Sequence, residues 1–432
     1  MMKNKKKQTS LSSLTAIAMT LPGIASAQEN SVLRPETALK YTHYDETKNR
    51  YQIDVYNGFL SVPITEKLAI NLNFNRETMS GASPRMNASE AFLNPNASTH
   101  KLVEVKSGAT IEDQRHEVKA KLIYKGDADY GLGSAYSIEK DYRSTTLFGD
   151  TTLYFNKKNT AVTLAVSLSG DNVDPSAKPP TLSLSLPSRV YWNMGHKNTQ
   201  KYHLGVRQDL TKQSFIQQNF EYTVDTGFLS DPYKLIFTYG DARTSIRPGT
   251  LFVGPSLTFP VGFSIDYDRR PNFREAYSAV TRYVHYLESF GSSAHFDYRF
   301  SANSWKIKSH TFTLAYYQPW ETWEFNPSVR FYTQSEADFY GMAFTNAPGA
   351  PFPARPLLQN GNGSSDYRLA SFGSINGEFR VSKNFTPDIK ASILVGYNHR
   401  SYRYGFNSKD VQKNTGNLFA TRYASISIKV LF

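Results

Sequence analysis

His295, Asp297 and Arg299 follow one another at every second position in the run His-Phe-Asp-Tyr-Arg. Side chains alternate faces along an extended strand, so this spacing puts an imidazole, a carboxylate and a guanidinium on one side. An imidazole oriented by a carboxylate is the general base that a serine nucleophile needs. No G-x-S-x-G elbow accompanies the pair, and a His-Asp-Arg row is more simply a charge cluster on a strand face. The remaining histidines form neither an H-E-x-x-H pattern nor a close ligand pair, so no metal site is expected. There is no cysteine, which removes disulfides, thiolate metal sites and thiol nucleophiles. With no Walker A loop and no dinucleotide fingerprint at a strand-to-helix turn, the chain does not read as an enzyme.

A second constellation is a ladder. Asp113, Arg115, Glu117, Lys119 and Lys121 occupy one face of an extended segment, opposite Val118, Ala120, Leu122 and Tyr124. Such a face cannot meet hydrocarbon, so it must line a polar interior. Further inward candidates are His295, Asp297, Arg299, Arg330, Arg380, Lys390 and Arg400, together with Lys201, Arg207 and Lys429 and the acids Glu139, Asp141, Glu221 and Glu378. Bases outnumber acids in that set, which predicts an interior that favours anions. The competing reading is that these charges pair across neighbouring strands and fill the interior.

The elements that must position these residues are stretches of about ten residues with apolar side chains at every second position. Leu68, Ile70, Leu72 and Phe74 alternate with Ala69, Asn71, Asn73 and Asn75; Val162, Leu164, Val166 and Leu168 do the same against Thr163, Ala165 and Ser167. The last stretch carries Ala424, Ile426, Ile428, Val430 and Phe432 on one face. Its terminal Phe432 resembles the C-terminal insertion signal of Gram-negative outer-membrane barrels, which implies recognition by the barrel-assembly machinery. Strands with one lipid-like face require a closed barrel, because an open edge would leave backbone groups unpaired in hydrocarbon. The spacing predicts an all-β, transmembrane antiparallel barrel of about 16 strands, within a range of roughly 14 to 18 because Tyr233 to Tyr239 or Leu251 to Tyr267 can add a hairpin. Short turns such as Thr65-Glu66-Lys67 alternate with long segments near 79–110, 171–198, 225–275 and 335–369, which read as external loops. An even strand count returns both termini to the periplasm.

Two small-residue motifs bracket the first long loop: Ser80-Gly81-Ala82-Ser83 after Glu77, and Ser107-Gly108-Ala109-Thr110 after Glu104. They resemble sites at which a flavin transferase attaches FMN through a phosphoester, with Ser83 or Thr110 as the modified hydroxyl. That motif normally starts with Asp, and Ser, Gly and Ala are also ordinary turn residues, so no cofactor is the plainer expectation.

The first residues read as a leader: a basic Met-Met-Lys-Asn-Lys-Lys-Lys, the apolar Leu11 to Ile24, and Ala25-Ser26-Ala27. Cleavage after residue 27 leaves one barrel domain, 28–432. The formal charge then falls from +12 to +8, because the leader holds Lys3, Lys5, Lys6 and Lys7 and no acid. A mean hydropathy of −0.48 excludes a bundle of membrane helices, each of which needs about 20 consecutive apolar residues. The basic balance suits lipopolysaccharide phosphates at the membrane surface; export makes nucleic acid an improbable partner. The 28 Tyr, 28 Phe and 4 Trp make 14% of the chain, a high aromatic content that the fold must use.

Together, Met79 to Pro84 (MSGASP), Ser107 to Arg115 (SGATIEDQR), Gly131 to Tyr142 (GLGSAYSIEKDY), Phe228 to Lys234 (FLSDPYK) and Phe331 to Tyr340 (FYTQSEADFY) resemble domain of unknown function family 3570, a group of Gram-negative outer-membrane barrels. The resemblance spans most of the mature chain. It implies a barrel and an integral outer-membrane location, and it carries no catalytic residue. The leading expectation is a porin-like pore with a basic lumen. A flavin-bearing or redox-partner barrel and a structural or adhesive barrel acting through its loops are the alternatives.

Overall fold

The computed structural model describes residues 34–432 except 48–49, 83, 95, 97, 100, 107–110, 176–194, 241–262, 346–348, 351, 353, 357–360 and 407–417. The leader, Ser83 and Thr110 therefore lie outside the described residues. The strands are β1 (Glu36–Glu46), β2 (Tyr51–Pro63), β3 (Leu68–Gly81), β4 (Pro84–Ser89), β5 (Leu102–Lys106), β6 (Ile111–Tyr124), β7 (Ala128–Ile138), β8 (Tyr142–Phe155), β9 (Thr160–Val173), β10 (Gly195–Thr211) and β11 (Ser214–Gly227). They continue as β12 (Leu235–Tyr239), β13 (Phe263–Tyr267), β14 (Phe273–Leu287), β15 (Ser292–Asn303), β16 (Lys308–Trp320), β17 (Trp323–Gln334), β18 (Phe344–Thr345), β19 (Arg355–Pro356), β20 (Phe372–Thr386), β21 (Ile389–Ser401) and β22 (Phe419–Leu431).

Sixteen of these close a barrel in the order β1-β2-β3-β6-β7-β8-β9-β10-β11-β14-β15-β16-β17-β20-β21-β22. The closing pair is β1 with β22, antiparallel from Glu36↔Leu431 to Glu46↔Thr421. Both chain ends of the barrel therefore sit at one rim, and every long connection leaves from the other. The predicted strand count and the period-two reading are thus found.

Alternation explains the wall. Leu39, Leu72, Leu132, Leu147, Leu314, Val329, Ile393 and Ile426 are all exposed on the outside, the arrangement expected of a surface that meets hydrocarbon. Their strand neighbours face inward and are mostly polar or small, with Phe148 and Leu394 as exceptions. Among the described residues no helix is long and apolar enough to cross a membrane.

The described parts of the connections after β3, β11 and β17, which read as external loops, carry strands of their own. β12 and β13 pair antiparallel, but in a separate sheet, β13-β12-β18-β19, and β4 pairs with β5. These elements share a core of Met86, Leu102, Leu235, Phe237, Ile265, Trp305, Phe339, Tyr340 and Phe352. The Phe237 and Phe352 rings lie 5.5 Å apart, and Trp305 meets Phe339 edge-on at 5.2 Å. The described parts of these connections thus fold together as a cap.

The cap sits on the barrel mouth, as burial of the inward side chains shows. At the loop end, Tyr51, Met79, Asp113, Asp171, Asp225, Gln334, Phe372, Arg400 and Phe419 are all buried. Further toward the chain termini, Lys40, Asn73, Lys201, Arg380 and Lys429 are exposed on the same inner faces. The cap covers one end of the barrel; toward the other, these polar side chains are exposed while the inward Ala69, Val284, Asn326 and Ser382 are buried.

Candidate functional site: the capped lumen

Register decides what each inward charge meets. Lys121 on β6 reaches Asp150 on β8 at 2.6 Å across the narrow Gly131, and Lys119 lies 4.5 Å from the centre of the Phe148 ring. Arg115 donates to Glu117 at 2.9 Å and to Ser137 at 2.8 Å. Asp297 accepts both arms of Arg282, at 2.7 and 2.6 Å. That fork occupies the carboxylate that would have oriented His295. The His295 ring instead packs 4.4 Å from Tyr317, with Nε2 3.1 Å from the Ser293 hydroxyl. Lys390 pairs with Glu324 at 3.1 Å and Lys429 with Glu36 at 2.9 Å. Sequence reasoning missed Arg282, Asp150, Glu324 and Glu36, because a strand's own alternation does not say which strand lies beside it.

On a different wall the bases Lys40, Arg330 and Arg380 make no ion pair among the described residues. Glu378 lies between them, one inward step from both Arg330's register partner Asn376 and Arg380. Its carboxylate accepts the Tyr423 hydroxyl at 2.6 Å, and the same hydroxyl lies 2.8 Å from Asn376. Gly396 makes that possible: a Cβ there would overlap the Tyr423 ring. Gly396→Ala must push the ring off Glu378, and overpacking of this kind costs about 1–3 kcal/mol. A lower urea midpoint for refolded Gly396→Ala protein is expected.

The cap is fastened by buried charges. Asp366 accepts from Arg270 at 2.9 Å and is gripped by Arg368, which also reaches Asp231 at 2.7 Å. Arg270 reaches Asp268 at 2.6 Å. Burial alone would raise Asp366, but the charges of Arg368, Lys234 and Arg270 hold it well below the usual carboxylate range. Burial pushes the Lys234 ammonium down to about 8 against the pull of Asp366. Lys234 donates to the Pro84 carbonyl, and Tyr233 donates to Asp141 on the barrel rim. Arg50 lies over Tyr367 at 4.7 Å and Phe419 at 4.5 Å, and Arg400 over Phe372 at 3.3 Å. Arg400, expected to line the interior, is thus roofed by the cap.

Asp113, Glu139 and Asp141 bring one carboxylate oxygen each within 4.8 Å of one another at the rim. This all-oxygen set is of the kind that suits a hard divalent cation. The outer wall holds a concavity of about 1040 Å³, lined by outward side chains including Leu122, Leu132, Leu164, Leu204, Phe220 and Tyr277, so it belongs to the apolar face.

Solved structures of similar shape include a bacterial polysaccharide outer membrane secretin, with TM-score 0.47, 10% identity, 93% of this chain and 99% of that one covered. The CymD monoaromatic hydrocarbon channel gives 0.38, 9%, 92% and 88%. A mutant ferric enterobactin receptor from Pseudomonas aeruginosa gives 0.42, 10% and 85%; the chain spans about half (53%) of that receptor's length. No curated protein matches the chain. The family model described as "Protein of unknown function (DUF3570)" matches residues 11–421, and the chain belongs to that family.

Proposed function

We propose that this protein is a porin-like barrel of the Gram-negative outer membrane whose lumen favours anions and whose cap controls entry from outside the cell. One observation carries the reading. Among the described inward residues of the barrel strands, the exposed charges are all basic: Lys40, Lys201, Arg380 and Lys429, of which Lys429 is paired with Glu36. The inward acids are half-buried or buried, and many already hold a base. In a low-dielectric wall, the charges that remain in solvent set the local potential.

In this reading residues 1–27 direct export, the strand ending at Phe432 engages the barrel-assembly machinery, and the apolar wall meets membrane lipid. The cap then faces outward, where its rim meets lipopolysaccharide, and the chain termini face the periplasm. Refolded residues 28–432 in a planar bilayer under a potassium chloride gradient should show discrete current steps and a reversal potential of anion sign. A cation-sign reversal potential would sink the anion reading.

A further inference from the structure

Lys40, Arg330 and Arg380 share one wall, and the register fixes their relation. Arg330 on β17 pairs with Asn376 on β20, and Arg380 lies four residues farther from the cap on β20, about 13 Å along the strand at about 3.3 Å per residue. From Arg380 a single row of paired residues runs through Leu394 and Ser425 to Thr42, and Lys40 is one inward step below Thr42. The three bases descend from the underside of the cap toward the open end. Like and unlike charges both act along the way: Lys40 is repelled by Arg380 and Arg330 by Arg299, and Glu378 attracts both Lys40 and Arg330 without forming an ion pair with either. Glu378, the acid between them, forms no ion pair among the described residues and is held by Tyr423 and Asn376. The rings of Tyr44 and Tyr423, 5.3 Å apart, flank the same row.

We infer that this wall is a relay of sites for multivalent oxyanions of the phosphate class, either inorganic phosphate or a phosphate monoester. The inference rests on the pore reading and narrows it. A guanidinium offers two parallel N–H donors that match two oxygens of one phosphate, whereas chloride accepts without that geometry. Several bases around a single committed carboxylate leave an excess of positive charge that a divalent anion balances better than a monovalent one. Steps of this length let an anion pass from one base to the next, and conduction needs several sites, each weak enough to release.

The test is block of chloride current by inorganic phosphate at about pH 8, using the full mature chain in planar bilayers. Phosphate is expected to reduce the current, and Arg330→Lys/Arg380→Lys, which keeps charge and loses the forks, to raise the half-blocking concentration at least about tenfold. A heat-modifiable gel band shows that the variant is folded. A sugar phosphate blocking at lower concentration than inorganic phosphate assigns the ester; the reverse order assigns the free ion. Chloride current with no phosphate block overturns the relay and leaves the pore standing. Absence of current from a folded barrel overturns the pore, and calorimetric titration of phosphate into the detergent-solubilised protein then decides the site: binding weakened in the Lys variant supports it, and no binding overturns it.

Discussion

Asp366→Asn should unlatch the cap and leave the barrel closed. Asp366 is buried and is gripped by Arg270 and Arg368, so its neutralisation strands two guanidinium groups and the Lys234 ammonium beside the remaining Asp231 and Asp268. Removing one partner of such a buried network costs about 3–5 kcal/mol. That is at least about a hundredfold in the population of the open form, which sets the rate of proteolysis when opening is fast. Limited proteolysis should therefore cut within 335–371 at least about a hundred times faster, and single-channel current should rise. The heat-modifiable band should persist, because the sixteen-strand ladder makes no use of Asp366. An unchanged cleavage rate would mean that the apolar core around Phe237 and Phe339 holds the cap alone.

Acid should act in the same direction. A carboxylate held below its ordinary pKa stabilises the cap at pH values above the unfolded value, near 3.8, and that stability drains away as pH falls through the lowered one. Asp231 shifts the same way; burial raises Asp268 against the pull of Arg270, so that group opposes the trend. Lys234 has the opposite linkage. Its lowered pKa makes the cap firmer as pH rises from about 8 toward 10.5, since the loosened chain binds a proton that the cap excludes.

The barrel was legible because its signal is local. A strand such as Leu68–Gly81 shows its two faces in its own residues, and one hydrocarbon face repeated many times requires closure. The cap was not legible, because its signal is nonlocal. Asp366 meets Arg270 across 96 residues and Arg368 meets Asp231 across 137, and Phe339 and Phe352 sit in segments whose Gly and Pro read as loop. The lumen was half legible. Alternation identified Lys121, Asp297 and Lys390 as inward candidates, but their partners Asp150, Arg282 and Glu324 lie on other strands and emerge only from register. The wall of Lys40, Arg330 and Arg380 is therefore a property of the assembled barrel: a base counts as unpaired only when every neighbouring strand has been placed.

The assignment of faces makes the sharpest demand on β17, where adjacent residues should respond oppositely to one substitution. Val329 lies near the middle of the strand, exposed on the outer wall, and Ser328 faces the lumen opposite Glu378. Arg at a lipid-facing position near the bilayer midplane costs about 2–4 kcal/mol, because a charge must be accommodated in hydrocarbon or drag water inward. Arg at 328 enters a polar interior beside a carboxylate, and its effect should stay within about 0.5 kcal/mol. Urea titration of folding into lipid vesicles should therefore separate Val329→Arg from Ser328→Arg by about 2 kcal/mol or more. Equal losses would contradict the inside-outside assignment on which the lumen rests. The two positions share strand, depth and neighbours in sequence, and the loss of Val's higher strand propensity is at most about 1 kcal/mol, so a difference of about 2 kcal/mol or more reports which side of the wall each side chain occupies.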